Sequence, residues 1–351
     1  MPRSTAPHAA AATPLRLPLR VAAPAREGVL PAGRAQSQPA LSCVLPCYNE
    51  AENLRRLLPE LQRVLESTGC PWEVVLVDDG SADGSAALQA LWAQRPGFRA
   101  LQLSRNFGKE AALTAGLEAA RGEVVVLMDA DLQHPPALIP EFLARWRAGA
   151  DVVYALREDR HDEGWAKRLG TRAFYRLVNL GDRFELPEGA GDFRLLDRGA
   201  VDALLALPER NRFMKGLYAW VGFPSVAVPY QPPPRASGRS HFSLWRLFRF
   251  SIDGLTGFTT WPLRGVTIVG LLMALFGFGY GGYLSADYLL FGHPVSGWTT
   301  IIVTLLFFIG VQMISLGVIG EYIARIHEEV KGRPLYVVRQ ALGHGLPEPG
   351  A

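Results

Sequence analysis

Cysteine is scarce in this sequence, and the cysteines present are poorly spaced for disulfide bonds. There are three among 351 residues. Cys43 and Cys47 lie four residues apart in a predicted strand, which separates them by roughly 13 Å if the chain is extended. A disulfide needs Cα atoms that are much closer together. We therefore expect no disulfide framework, a packing role for the cysteines and a reducing compartment such as the cytosol.

The chain also lacks a large excess of charge of either sign. Its formal net charge is only +3, so the composition does not indicate that the protein binds a polyanion. We therefore expect no nucleic-acid partner. Residues 1–40 are rich in alanine, proline and arginine, and they lack the continuous apolar core of a signal peptide. We predict that this segment is a disordered tail.

Two long runs are almost free of charged side chains. Residues 265–286 carry no charge over about 22 residues, and residues 299–320 are similar, with Gln312 as the one strongly polar side chain. Each run is long enough to cross a bilayer as a helix. Two buried helices of a soluble core are the alternative, although core helices are seldom uncharged for so long. We predict transmembrane helices over 263–290 and 299–320.

The connector between these runs, SADYLLFGHPVSGW, contains no lysine or arginine, whereas both flanks are basic. By the positive-inside rule the flanks are cytoplasmic and the connector lies outside. We therefore predict a multi-pass protein of the cytoplasmic (inner) membrane, with residues 41–239 as a cytoplasmic domain and residues 321–351 as a cytoplasmic juxtamembrane helix and tail. Residues 240–262 fit an amphipathic interfacial helix, with a plain domain helix as the alternative.

Between residues 41 and 155, short strand-like runs alternate with helical runs. The strand-like runs are LSCVLP, WEVVLV, FRALQL, EVVVLM and DVVYA, and the helices are predicted at roughly 51–67, 85–94, 110–120 and 137–147. This alternation predicts an α/β fold with a mainly parallel sheet and helices on both faces. Ligands of such sheets bind at the carboxyl ends of the strands. The polar runs PCYNE, DDGS, SRNFGKE and DADLQ fall at those ends.

The run DADLQ places two carboxylates, Asp129 and Asp131, at the end of an apolar strand. Alternation along a strand would point both carboxylates the same way, together with the side chain of Gln133. Carboxylate and amide oxygens suit Mg²⁺ or Mn²⁺, which keep coordination positions open for substrate phosphates. The pattern Asp-x-Asp is also common in surface loops, so a metal site depends on support from the neighbouring strand ends.

Two other strand ends offer contacts for a nucleotide. Tyr48 could stack on a base, and Glu50 could bond a ribose hydroxyl. One acid of the run VDDGS, Asp78 or Asp79, could accept hydrogen bonds from a base or ribose. The alternative is a turn followed by a helix cap, with Asp83 or Ser85 as the cap, and both interpretations can hold together.

The run SRNFGKE is a predicted loop that leads into a helix. It contains two basic side chains, Arg105 and Lys109. Basic groups beside a helix N-terminus suit a diphosphate, because the first backbone N–H groups of a helix have no partner within it. We therefore expect this loop to face the phosphates of a bound nucleotide.

Taken together, LPCYNE, VDDGS, SRNFGKEAALTAGLEAARG and LMDADLQHP, in this order and spacing, resemble the family-two glycosyltransferases, which have the GT-A fold. Further along, GDFRLLDR, ERNRFMKGLYAWVGF, RASGRSHFS and GEYIARIHEEVKGRPLYVV are similar to the polyprenyl-phosphate glycosyltransferases. That group includes dolichol-phosphate mannose synthases and bacterial bactoprenol glucosyltransferases. The resemblance covers about residues 41 to 340.

The resemblance implies a reaction. A nucleotide sugar, a UDP- or GDP-sugar, would give its sugar to the phosphate of a membrane polyprenyl phosphate, with inversion at the anomeric carbon. It implies Mg²⁺ or Mn²⁺ as cofactor, uridine as the expected base and undecaprenyl phosphate as the expected acceptor. The product would be a polyprenyl-monophosphate-linked sugar for cell-envelope glycan assembly or modification. We also expect a homo-oligomer; the sequence does not identify the sugar.

The resemblance also implies roles for individual residues. The metal-binding motif is matched by Asp129, Asp131 and Gln133. The nucleotide-contacting positions are matched by Pro46, Tyr48, Glu50 and Asp78. Basic positions that face the phosphates are matched by Arg157 and Arg235, which with the two acids of DADLQ form the expected catalytic set.

The same resemblance places the acceptor phosphate near a further group of residues. They are Lys167, Thr171, Arg239 and Ser240, besides the two arginines already named. Many relatives carry a lysine after the Gly-x-Ser of the later motif, whereas here His241 follows. Arg239 is the candidate to supply that charge.

Two other functions remain open at this stage. A processive polysaccharide synthase on the same fold usually carries Gln-x-x-Arg-Trp, which this sequence lacks, and more membrane spans. A catalytically silent membrane scaffold that binds nucleotide sugars would show no metal-dependent turnover. The chain length of the product separates the first alternative from a single-sugar transferase, and turnover separates the second.

Overall fold

The structure is a computed structural model that describes residues 39–157, 190–231, 261–291 and 297–346. Within these ranges one eight-stranded sheet has the strand order β7-β5-β6-β4-β1-β2-β3-β8. Its strands are β1 Leu41–Cys47, β2 Trp72–Asp78, β3 Phe98–Leu103, β4 Val124–Leu127, β5 Val152–Arg157, β6 Ala190–Asp197, β7 Ser225–Tyr230 and β8 Val338–Gly343.

The described helices alternate with the first five strands and then continue towards the carboxyl terminus. They are α1 Ala51–Ser67, α2 Ser85–Trp92, α3 Lys109–Ala119, α4 Ile139–Arg147 after a 3-10 turn at Pro136–Leu138, α5 Arg198–Leu205, α6 Met214–Trp220, α7 Trp261–Phe291 and α8 Trp298–Val330. The predicted helices at 51–67, 85–94, 110–120 and 137–147 are confirmed to within two residues at each end.

The centre of the sheet is parallel and fully covered. Strands β1 and β4 are buried along their whole length, and β1 pairs in parallel with both β2 and β4. Strands that are covered on both faces are nearly continuously apolar, as β4 is throughout and β1 is apart from Ser42. On one face α1 buries a stripe of leucines spaced at three and four residues, the pattern of an amphipathic helix: Leu54, Leu57, Leu58, Leu61 and Leu65. The predicted mainly parallel α/β sheet is therefore confirmed.

Strand β6 is antiparallel to both of its neighbours, β4 and β5. Its amino-terminal end therefore lies at the same edge of the sheet as the carboxyl ends of β1, β2 and β4. The sequence analysis did not predict β6, which occupies an interior position between β4, the strand before DADLQ, and β5, the strand that ends at Arg157.

The segment after α8 returns to the sheet. Strand β8 pairs with β3 in the antiparallel direction, and the Ser104 N–H donates to the carbonyl of Val337 at 2.9 Å. Beyond the strand, the Leu346 N–H donates to the buried carboxylate of Glu73 at 3.0 Å. The sequence analysis placed residues 321–351 together as a helix and tail. The structure differs, because part of this segment completes the sheet.

Helices α7 and α8 contain segments that are long and apolar enough to cross a membrane, Gly265–Phe291 and Phe307–Val330. The most apolar stretches of both segments are unburied within the chain. They overlap the predicted spans, although α8 continues as a helix ten residues beyond the predicted end at 320. The predicted interfacial helix at 240–262 and the predicted tail at 1–40 lie almost wholly outside the described residues.

Candidate active site

A cavity of about 310 Å³ lies at the carboxyl ends of the parallel strands. It brings together most of the residues that the sequence analysis selected after four separate strands. The lining consists of Pro46, Cys47, Tyr48, Glu50, Asp79, Asn106, Gly108, Lys109, Ala112, Asp129, Ala130 and Asp131. Sequence position and sheet topology therefore agree on one site.

Hydrogen bonds join the loop after β1 to the loop after β2. The Asn49 N–H donates to the Ser81 hydroxyl at 2.9 Å, and the Glu50 N–H donates to the Ser85 hydroxyl at 2.9 Å. Asp83 accepts from the N–H groups of both Ala51 and Ser85 at 3.0 Å, so it serves the first turns of α1 and α2 together. Asp83 therefore bonds the first N–H group of each helix from a position just before the Gly84 N-cap of α2, and these bonds hold Tyr48 and Glu50 at the cavity.

Tyr48 and Glu50 present different surfaces to the cavity. The Tyr48 side chain is half exposed, so its ring is available for stacking. Burial raises the pKa of Glu50, and the hydrogen bond from the Asn53 amide opposes that shift. The nearby Asp131 carboxylate raises the pKa of Glu50 further, because two like charges disfavour each other.

The two acids of VDDGS have separate roles. Both oxygens of Asp79 accept backbone N–H groups of the loop before α3, from Phe107 at 2.7 Å and from Gly108 at 2.9 Å. Asp79 therefore anchors the loop that precedes α3. The first N–H groups of the helix itself, from Lys109 onward, are not these donors, so the expectation that they face a diphosphate stays a prediction.

Asp78 is buried and only half satisfied. One of its carboxylate oxygens accepts from the Ser81 N–H at 3.2 Å, whereas the other oxygen is buried without a hydrogen-bond partner among the described residues.

Gly80 lets the loop after β2 approach the loop after β3. Its φ is 72°, and a Cβ there would lie 2.6 Å from the carbonyl carbon of Arg105. A side chain at that position would force the loops apart.

The DADLQ run forms a turn and not the end of a strand. Strand β4 stops at Leu127, and Leu132 has a φ of 62°, a left-handed conformation that is uncommon for a residue with a side chain. The predicted alternation is therefore wrong. Gln133 donates its backbone N–H to Asp131 at 3.0 Å, and its side chain is not among the groups that line the cavity.

His134 supports this turn from behind. Its Nδ1 accepts the Asp129 N–H at 3.1 Å, and its ring stacks on Phe193 with a centroid distance of 5.0 Å. Burial lowers the pKa of His134, while the carboxylates of Asp129 and Asp131 oppose the shift. A neutral imidazole that accepts at Nδ1 fits this position. The sequence analysis did not select His134, although it directly follows the DADLQ run.

Lys109 is the cation at the centre of the site. Its Nζ lies 2.6 Å from an oxygen of Asp129 and 2.6 Å from an oxygen of Asp192. Burial would lower the pKa of Lys109, but the two carboxylates more than offset it and raise the pKa. Although burial opposes it, the charges of Lys109 and Lys215 lower the pKa of Asp192 to about 2, so Asp192 is ionised.

The sequence analysis missed Asp192 because of where it sits. It lies near the beginning of β6, whereas ligand residues were sought at the ends of strands. An antiparallel strand in the middle of a parallel sheet brings its beginning to the ligand edge, as the pairing of β4 with β6 does here. The sequence shows Asp192 in the run GDFRLLDR. Its place at the ligand edge depends on the direction of β6, which the sequence did not reveal.

Of the remaining predicted residues, Arg157 and Arg105 are described by the structure and five others are not. Arg157 ends β5 in register with Tyr230 of β7, at the same edge of the sheet as the cavity. Arg105 donates to the carbonyl of Asn106 at 2.9 Å and covers the Phe107 ring, and it is not part of the cavity lining. Outside the described residues lie Lys167, Thr171, Arg235, Arg239 and Ser240.

The acids of the cavity fit a hard divalent cation. Asp129 and Asp131 supply carboxylate oxygens on one wall, and Asp131 is exposed to an incoming ligand. Within the described ranges no group of three or more His, Cys, Asp or Glu side chains forms a complete metal site. Two protein carboxylates with the other positions left to substrate phosphate and water is the usual way in which Mg²⁺ is bound beside a nucleotide.

A sheet of this topology with an acid-lined cavity at its parallel strand ends defines a GT-A-type glycosyltransferase. The family model for glycosyl transferase family 2 matches residues 42–205, and the model for the GtrB C-terminal hairpin matches residues 261–326. The chain belongs to glycosyl transferase family 2.

Two relatives match along nearly their whole length. An uncharacterised glycosyltransferase of Synechocystis sp. is 42% identical over 304 residues, which cover 86% of this chain and 96% of the relative. A prophage-derived bactoprenol glucosyl transferase of Shigella flexneri is 41% identical over 302 residues, which cover 86% of this chain and 98% of the relative.

Among solved structures the likeness is more distant. Glucosyl-3-phosphoglycerate synthase from Mycobacterium tuberculosis, crystallised with Mn²⁺, UDP and phosphoglyceric acid, is 19% identical. It matches with a TM-score of 0.46 over 66% of this chain and 83% of that one. A likeness at this level does not bear on the ligands of this protein.

Proposed function

We propose that this glycosyltransferase moves glucose from a nucleotide sugar to the phosphate of a membrane polyprenyl phosphate. The observation that carries the proposal is the 41% identity to the bactoprenol glucosyl transferase of Shigella flexneri over 98% of that protein. This likeness extends through both the sheet domain and the helical hairpin. Bactoprenol is undecaprenol, so undecaprenyl phosphate is the proposed acceptor.

In the proposed donor complex the nucleoside lies against the loops after β1 and β2. Tyr48 stacks on the base, and Glu50 accepts from the ribose. One buried oxygen of Asp78 has no hydrogen-bond partner in the described part of the chain. It supports a donor-binding role, because such an atom gains a hydrogen bond when a ligand N–H or O–H reaches it. We assign UDP-glucose as the donor.

Asp129 and Asp131 hold a divalent cation, Mg²⁺ or Mn²⁺, beside the donor diphosphate in this proposal. When bound, such an ion neutralises the charge that develops on the departing nucleoside diphosphate. His134 and the turn at Leu132 keep the two carboxylates in place before substrate binds. Gln133 is not among the residues that line the cavity, so the proposal rests on the two carboxylates alone.

The acceptor brings its own nucleophile. A phosphate monoester has a second pKa of about 6, so at neutral pH an oxygen is already ionised and a general base is not required. The protein therefore has to orient this phosphate behind the sugar, which gives inversion in a single displacement. We assign Arg157 and Arg235 to that phosphate, since a guanidinium can bond two phosphate oxygens at once. Lys167, Thr171, Arg239 and Ser240 are further candidates for the same contact.

The helical hairpin sets the height of the site in this proposal. Glu329, near the end of α8, accepts the Arg210 N–H at 2.8 Å, which ties the helix directly to the sheet domain. A polyprenyl phosphate keeps its tail in the bilayer and its phosphate at the surface. With the sheet domain on the cytoplasmic side, a fixed distance from α8 keeps the cavity within reach of that phosphate. A homo-oligomer is proposed as the working assembly.

A donor screen tests this function. Purified full-length protein in detergent is incubated with undecaprenyl phosphate, Mg²⁺ and a set of radiolabelled nucleotide sugars, and label in the organic phase is counted. We expect UDP-glucose to give the most label in the lipid fraction. Equal label from every donor, or label that appears without added undecaprenyl phosphate in delipidated protein, would contradict the assignment.

A further inference from the structure

Lys109, the first residue of α3, forms ion pairs with two acids that are distant in the sequence. Its ammonium group bridges two carboxylates that are 20 and 83 residues away along the chain, Asp129 and Asp192. It contacts both oxygens of Asp129, at 2.6 and 2.8 Å, and one oxygen of Asp192 at 2.6 Å. The Lys109 side chain is still 42% exposed, and it lines the cavity.

The two carboxylates that share this cation are not equivalent. Asp129 stands in the cavity lining beside Asp131, where an ion from solvent can reach it. The Asp192 side chain is only 11% exposed, and one of its oxygens is buried without a hydrogen-bond partner among the described residues. The ion pair between Lys109 and Asp192 is therefore shielded from solvent. Another cation can replace Lys109 at Asp129, which solvent reaches.

We propose that Lys109 is an exchangeable counter-ion for the metal site. It neutralises Asp129 when no divalent ion is bound, and it keeps only its pair with Asp192 when one binds. The inference rests on the proposed metal role of Asp129 and Asp131. Its physical basis is that an ammonium group and a divalent cation on the same carboxylate repel each other strongly at contact distance.

The consequence is control over when the metal binds. An ion that enters the empty enzyme has to displace Lys109 from Asp129, which weakens metal affinity in the absence of donor. The donor diphosphate adds negative charge and its own oxygen ligands, which compensate for that competition. Lys109 thus favours entry of the metal together with the nucleotide sugar over prior occupation of the site.

The test is Mn²⁺ binding to the full-length protein without nucleotide, measured from the free-Mn²⁺ signal in electron paramagnetic resonance. The main variant is Lys109→Met, and Lys215→Met is the matched control, because Lys215 also acts on Asp192 through its charge. We expect Lys109→Met to bind Mn²⁺ about tenfold more tightly than the wild type, since the competing cation is gone. The control should stay within about twofold of the wild type, because a charge beyond contact distance is better screened.

Two further variants keep the test decisive if Lys109→Met folds poorly in a thermal scan. Lys109→Arg retains the cation and should bind Mn²⁺ as the wild type does. Asp192→Asn removes the alternative partner of Lys109 and should weaken Mn²⁺ binding severalfold. Folded Lys109→Met with wild-type or weaker affinity, or Asp192→Asn with unchanged affinity, would overturn the inference. If the wild type binds no Mn²⁺ even with UDP present, the metal site itself is refuted, and the inference with it.

Discussion

Asp131 differs from the other acids of the cavity in being exposed and free of any contact with Lys109. Its one described hydrogen bond comes from the backbone of Gln133. Removing its side chain should therefore leave the fold intact and remove a metal ligand. We predict that Asp131→Ala lowers kcat by at least about 100-fold, the usual scale for losing a group that stabilises developing charge.

A glucosyl-transfer assay across a Mg²⁺ titration checks this prediction. Glu141→Ala is the control, because Glu141 is an exposed carboxylate on α4 that pairs only with Arg145 among the described residues. The control should keep wild-type activity. If Asp131→Ala stayed fully active in excess chelator, the assignment of DADLQ to a metal would be wrong.

Glu110 gives a prediction about pH. It lies beside Lys109, and burial, followed by the charge of Asp192, raises the pKa of Glu110 to about 8. In the unfolded chain this carboxyl would ionise near pH 4.3. The protonated form is thus favoured by folding, so its contribution to stability is complete below about pH 4.3 and is lost as the pH rises to about 8.

We therefore predict that Glu110→Gln matches the wild type in Tm at about pH 4 and exceeds it at pH 8.5 and above. The amide imitates the protonated acid and avoids burying a charge, and each kcal/mol relieved should raise Tm by about 2–4 °C for a chain of this size. Scanning fluorimetry in detergent measures the difference. A variant that is less stable than the wild type at high pH would show that Glu110 is ionised and well paired.

Sequence reasoning at the residue scale found the acids at the ends of parallel strands but not their partners. Asp129 and Asp131 stood out because acids that follow an apolar strand are conspicuous. Asp192 and His134 did not, because their roles come from the direction of β6 and from a turn whose left-handed residue is a leucine. Neither feature follows from residue type or spacing.

At the scale of elements, prediction succeeded where a segment buries one clear face. Helix α1 was predicted with the bounds that the structure gives it, because its leucines mark one face. Strand β8 was not predicted, since five of its six residues are exposed and it has no apolar alternation. An edge strand of this kind is specified by its backbone pairing with β3, which leaves no pattern in the sequence.

Gly343 is the last residue of β8, and replacing it tests how closely this strand packs against β3. Its φ is 78°, and a Cβ there would lie 2.2 Å from the carbonyl oxygen of Phe98 on β3. Because that neighbour is backbone, the strand itself would have to shift. We predict that Gly343→Ala destabilises the protein by about 1–3 kcal/mol more than the left-handed strain alone would.

Gly69→Ala is the matched control for Gly343→Ala. Gly69 has a similar φ of 68°, but a Cβ there would meet nothing within 4 Å. It therefore isolates the strain of a positive φ, which costs roughly 1 kcal/mol for alanine. Equal losses of thermal stability in the two variants would mean that β8 does not pack closely against β3.

At the scale of the whole molecule, polar contacts join the sheet domain to the carboxyl end of α8 and to the segment that follows it. Glu329, near the end of α8, accepts the Arg210 N–H, and the Tyr336 hydroxyl, between α8 and β8, donates to Glu118 on α3. Sequence analysis separated these parts into a domain, two spans and a tail. The hydropathy of each run supports that division, but it carries no information on the polar contacts that reconnect the parts.

The prediction at this scale concerns the orientation of the helical hairpin in the membrane. Both ends of the hairpin should be cytoplasmic, so a cysteine introduced as Ser296→Cys should react with an impermeant thiol reagent added to intact cells. Arg339→Cys should react only after the cells are broken. The native cysteines are buried and should contribute little background. The reverse labelling pattern would overturn the orientation given by the basic flanks.

The central claim is that one sugar passes from a nucleotide sugar to a polyprenyl phosphate in a single displacement. The most direct measurement incubates purified protein with UDP-glucose and undecaprenyl phosphate and identifies both products. Mass spectrometry gives the composition of the lipid product, NMR gives its anomeric configuration, and chromatography identifies the nucleotide. The account predicts undecaprenyl phosphate carrying one hexose, β-linked because the α-glucosyl donor is inverted, together with one equivalent of UDP. A lipid diphosphate with release of UMP, a chain of several hexoses or an α-linked product would contradict it.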